Sequence, residues 1–106
     1  MNKLEKAREI INEVDAQMAE LFVRRMQAVE MVLEHKKELG LPILDPVREA
    51  AVIEKNAALI ESDVLRGYYI DHLKNLMALS RAYQHRLLDG PDEPEDCKSC
   101  LKEEPK

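Results

Sequence analysis

The sequence predicts an all-α fold: a three-helix chain whose first helix is very long. Three observations carry this. Apolar residues recur at spacings of three and four along most of the chain, the period that gives a helix one buried face. Aromatic residues make up only 4% of the sequence and Trp is absent, so Leu, Ile, Val, Met and Ala must do the packing. Glycine is confined to Gly40, Gly67 and Gly90, and β-branched residues do not alternate as strands require. A chain of 106 residues makes one small domain, here residues 1–88, followed by an acidic tail over 89–106.

The first helix is expected from about Asn2 to just before Gly40. Glycine suits the left-handed turn that ends a helix, and Pro42 prevents continuation. Its stripe reads Leu4, Ala7, Ile11, Val14, Met18, Leu21, then Ala28 and Val32, with Arg25 in the slot between Leu21 and Ala28. Such a helix is about 55 Å long, whereas a domain of this size has a radius of gyration of about 13 Å. The helix overhangs its own domain, and another copy of the chain is the simplest cover. The expectation is an intertwined homodimer forming a helical bundle.

Leu41-Pro42-Ile43-Leu44 forms the link. Asp45 then caps a second helix that opens on Pro46 and carries Glu49 near its positive end, running to about Glu61. Ser62 and Asp63 reset the chain for a third helix, about Val64 to Leu88, with an inward stripe of Ile70, Leu73, Met77, Ser80, Gln84 and Leu87. Beyond it, Asp89-Gly90-Pro91 stops the helical pattern, and the remainder reads as a flexible tail.

Charge narrows the function. The net charge is −5, of which the segment 89–106 holds −4, from seven acids against three lysines. The helical body is nearly neutral and shows no basic face suited to nucleic acid. Its first residues, Met1-Asn2-Lys3-Leu4-Glu5-Lys6, form no apolar segment, and no apolar run reaches membrane-spanning length, so a cytoplasmic protein without membrane contact is expected. No metal and no cofactor are expected. His35, His72 and His85 lack ligand-spaced partners, and Cys97-Lys98-Ser99-Cys100 is a single pair where a tetrahedral zinc site wants four ligands. That pair also lacks the βαβ setting of a redox domain.

What remains is a set of polar residues on predicted inward faces. Arg25 and Lys36 lie eleven residues apart, about 16 Å along the axis and nearly on one face. Two long side chains leaning together would clamp a small anion. Arg8 lies about 25 Å from Arg25. It is either a surface charge or a residue serving a second site, such as the pocket of an antiparallel partner. Arg25 could instead pair with a core acid such as Glu49, and Ser80 with Gln84 could make helix-to-helix hydrogen bonds. Taken together, cations and neutral donors with one carboxylate suit a dianion bearing a hydroxyl or an ether oxygen. No nucleophile–base pair is present, because Ser80 has no His near it in the repeat.

Those residues also carry a resemblance. Arg8-Glu9 with Ile10, Ile11 and Val14-Asp15, then Arg24-Arg25, Lys36, Asp45-Pro46-Val47-Arg48-Glu49, and Ser80 four residues before Gln84 resemble the all-helical chorismate mutase family over residues 4–88. Each motif alone is weak; the ordered set is specific. The resemblance implies an interlocked homodimer with two equivalent sites that rearranges chorismate to prephenate, the branch step toward phenylalanine and tyrosine. Arg25, with Arg8 of the other subunit, would hold the two substrate carboxylates. Lys36 and Gln84 would donate to the ether oxygen, and Glu49 would accept from the ring hydroxyl. Arg48 would help position Glu49 and the carboxylate end, while Asp45 and Ser80 would complete the wall. Two rivals stand beside this reading: an isochorismate-pyruvate lyase on the same scaffold, and a non-catalytic helical dimerisation module.

Overall fold

The computed structural model describes residues 2–90 and contains three helices: α1 (Lys3–Leu39), α2 (Pro46–Ala57) and α3 (Asp63–Asp89). The acidic tail beyond Gly90, with Cys97 and Cys100, lies outside the described residues. The chain divides into two compact units, residues 1–40 and 41–106.

The first unit is α1 with its caps. The Asn2 side chain accepts from the Glu5 backbone N–H at 2.8 Å while the Asn2 N–H donates to Glu5 Oε1 at 3.4 Å, a reciprocal capping box. At the other end Gly40 sits at φ 68°, and its N–H donates to the carbonyls of Lys36 and Lys37. A Cβ at Gly40 would meet nothing within 4 Å, so glycine is required by the backbone angle alone. Lys36 and Lys37 in the last turn complement the helix dipole.

The stripe named above is not covered within one chain. Leu4, Ile11, Val14, Met18, Leu21 and Val32 are each 42–56% exposed. The less exposed residues of α1 are instead half-buried Arg25, Met26, Val29 and Lys36, in register with buried Leu33. Leu33 was not part of the expected stripe.

In the second unit α2 packs on α3. Asp45 Oδ1 accepts from the Arg48 N–H at 3.1 Å, capping a helix that begins on Pro46. This helix ends at Ala57, four residues before the expected Glu61. The cause is Arg66. Its Nε and Nη2 donate to the Ile60 carbonyl at 3.1 and 2.8 Å, and Nη2 also donates to the Glu61 carbonyl at 3.2 Å. The backbone meanwhile tightens into three-residue turns, Leu59 N–H to Asn56 O and Ile60 N–H to Ala57 O.

Ser62 Oγ caps α3 by accepting from the Leu65 N–H at 3.2 Å, so the helix starts one residue earlier than expected and also ends one later. Of its expected inward stripe, Leu73, Met77, Ser80 and Gln84 are buried and Ile70 is half-buried. Leu87 is the exception, at 44% exposed in the last turn.

Candidate functional site

On α1 the two cations share a face because eleven residues return the helix almost to the same angle. Both Arg25 and Lys36 are half-buried, and Val29 and Leu33 lie between them on that face. Arg24, 100° around the helix, is exposed. Arg8, far toward the N-terminal end, is exposed as well.

The α2–α3 unit supplies the remaining residues. Asp45 is exposed, and its carboxylate serves as the α2 cap. Arg48 is exposed one turn into the helix, and the next residue, Glu49, is half-buried. On α3, Ser80 and Gln84 are 6% and 5% exposed, on consecutive turns of one face. Ser80 Oγ donates to the Leu76 carbonyl at 3.1 Å. Gln84 Nε2 donates to the Ser80 carbonyl at 3.3 Å. Turning the amide over would set its oxygen against that carbonyl, so this orientation is the favoured one. It leaves Gln84 Oε1 buried with no hydrogen-bond partner. An unmatched buried acceptor costs on the order of 1–3 kcal/mol. A polar residue kept only for packing would not be expected to carry that cost.

One residue here was not singled out from sequence. Arg81 Nη1 donates to both Glu49 oxygens, each at 2.6 Å, joining α3 to α2 across 32 residues of sequence. The two side chains are 31% and 25% exposed. The cation that holds Glu49 in the structure is therefore Arg81. The available sequence signal was an arginine between two inward polar residues, Ser80 and Gln84. No group of three or more His, Cys, Asp or Glu side chains suited to a metal ion occurs among the described residues. His72 stacks on Tyr69 with ring centroids 6.1 Å apart. No helix of the described residues is long and apolar enough to cross a membrane.

Each unit carries its own polar groups: α1 the two half-buried cations, and the α2–α3 pair the held carboxylate and the buried amide. None of these groups is an activated nucleophile. Against known proteins, residues 7–85 match the family model described as chorismate mutase type II. A protein of Methanocaldococcus jannaschii named chorismate mutase is 30% identical over 90 residues, covering 84% of this chain and 91% of that protein. No solved structure matched.

Proposed function

The chain belongs to the chorismate mutase type II family, and from that premise we propose that it converts chorismate to prephenate by a Claisen rearrangement that needs no covalent step. The ether C–O bond breaks as a C–C bond forms within one molecule, and no proton changes place. Such a reaction asks two things of a protein: to hold the compact reactive conformer, and to stabilise charge growing on the ether oxygen. The proposed compartment is the cytoplasm, and the pathway is that of phenylalanine and tyrosine.

The assignment of roles follows the residues. Arg25 holds one substrate carboxylate and Arg8 of a second copy the other. Lys36 and Gln84 donate to the ether oxygen, Glu49 accepts from the ring hydroxyl, Arg48 serves the carboxylate end, and Asp45 and Ser80 complete the wall. The observation that supports this reading most directly is Gln84, an amide 5% exposed whose Nε2 spends one N–H on the Ser80 carbonyl and keeps a second to donate. An amide donates without having to be protonated, so the activity needs no acid pH. Loss of one donor at a developing oxyanion costs about 3 kcal/mol, roughly a hundredfold or more in rate.

The homodimer belongs to the same proposal. It is supported by the exposed stripe of α1 and by the position of Arg8, about 25 Å along the axis from Arg25 and too far to share a small ligand within one helix. The catalytic domain is proposed to be residues 1–88. A chain lacking 90–106 should keep its activity.

The deciding experiment is a direct assay of the purified chain for loss of chorismate and formation of prephenate, with isochorismate offered separately. Prephenate formation supports the mutase reading. Release of pyruvate from isochorismate in its place would establish the lyase, and no turnover of either would leave a helical module.

A further inference from the structure

We propose that Arg81 is a positioning residue, acting through Glu49: its guanidinium holds the carboxylate at the place where it accepts the substrate's ring hydroxyl. The inference rests on the mutase reading above and adds a residue to it.

The geometry of the pair is specific. Nη1 lies 2.6 Å from each carboxylate oxygen, which places it on the bisector between them. There it occupies the inner lone pair of each oxygen and leaves the outer ones to accept from another donor. A carboxylate held in this way keeps its place over α3, because moving the head of the side chain through its first two torsions would break both contacts, so the position of its remaining acceptor sites is set before a ligand arrives. That is preorganisation, which removes an ordering cost at the moment of binding.

Burial separates this pair from an incidental surface contact. Both side chains are about a quarter to a third exposed, and the pair bridges two different helices. The ion pair of Arg66 with Asp63 offers a contrast within the same unit. Asp63 there is 92% exposed and only three residues away, and the guanidinium also holds the Ile60 and Glu61 carbonyls. Arg66 is a loop clasp. Arg81 instead directs Nη1 at a carboxylate on the neighbouring helix.

Its place on α3 strengthens the assignment. Arg81 follows Ser80 and precedes Gln84 by three residues, so one turn of α3 carries both the buried amide and the group that aims Glu49. Arg48, adjacent to Glu49 on α2, is exposed and points to no such role in the described contacts: its backbone N–H is engaged by Asp45.

The test compares wild type, Arg81→Met, Arg81→Lys and Glu49→Gln on two substrates: chorismate, and an analogue with the ring hydroxyl replaced by hydrogen. Arg81→Met is expected to lower kcat/KM on chorismate by about tenfold or more, the usual effect of loosening a hydrogen bond to a charged group. Arg81→Lys should recover most of that loss, and keeps the question open to measurement if the methionine variant folds poorly. On the deoxy analogue the Arg81→Met penalty should vanish, because there is no hydroxyl for Glu49 to receive. A merely structural defect would slow both substrates alike, and that result would overturn the proposal. So would wild-type turnover of chorismate by Arg81→Met, or an equal loss when it is added to Glu49→Gln. A wild-type chain inactive on chorismate would bring down the mutase reading and this proposal together; an active wild type with indifferent Arg81 variants brings down this proposal alone.

Discussion

Gln84 sits where the repeat of α3 calls for an apolar side chain, and the surrounding helix leaves its carbonyl oxygen unmatched. If its task is to donate to a developing oxyanion, Gln84→Glu converts a permanent donor into one that donates only when protonated. Activity should fall about a hundredfold near neutral pH and recover as pH drops through the new carboxyl's pKa. An unchanged profile of kcat/KM against pH would remove Gln84 from that role. The adjacent arginines of α1 give a second residue-level test. Arg25→Ala should lose most activity while Arg24→Ala, on the exposed side, should lose little; the reverse would move the ligand by 100° around the helix. Ser80 and Gln84 were legible in the sequence because a polar residue interrupting an apolar stripe is a local signal. Arg81 was not. It lies off the stripe, and its partner is 32 residues away on another helix, a pairing that no local pattern encodes.

At the scale of the elements, the starts of the helices were readable and one of the ends was not. Asn2, Asp45 and Ser62 are caps that act within three residues, so the sequence carries them directly. Past the end of α2, Arg66, six residues beyond Ile60, reaches back for a carbonyl that could otherwise continue the ladder. Nothing at Ala58 to Glu61 stops a helix by itself, since neither Gly nor Pro occurs there. Arg66→Ala should therefore leave α1 intact and destabilise the α2–α3 unit by about 1–3 kcal/mol, the cost of unmatched backbone acceptors, readable as a lower urea midpoint. A change within experimental error would mean that water satisfies those carbonyls equally well. Gly40 makes the complementary case at the end of α1. Because its φ is 68° and the space around it is open, Gly40→Ala should cost about 1 kcal/mol through backbone strain alone.

For the molecule as a whole, the question is what covers α1. Periodicity correctly gave one long helix with an apolar stripe, yet the more shielded residues of α1 follow a neighbouring line through Arg25, Val29, Leu33 and Lys36. The 3,4 pattern is broad enough on so long a helix to serve two faces, and it does not say which one a partner takes. The stripe of Leu4, Ile11, Val14, Met18, Leu21 and Val32 is half-exposed. Completing the burial of twelve such side chains, six from each of two copies, is worth on the order of 10–20 kcal/mol. That is comparable with the cost of about 4–15 kcal/mol for joining two chains. An assembly balanced this closely should not survive one charge at the centre of the stripe. Val14→Asp is therefore expected to give a monomer by sedimentation, with α1 still helical by circular dichroism. If Arg8 serves the pocket of a second copy, that monomer also loses chorismate turnover, and activity should reappear with dimer as protein concentration rises. A monomer that turns over chorismate at the wild-type rate would show that one chain holds a complete site, and Arg8 would then be a surface charge.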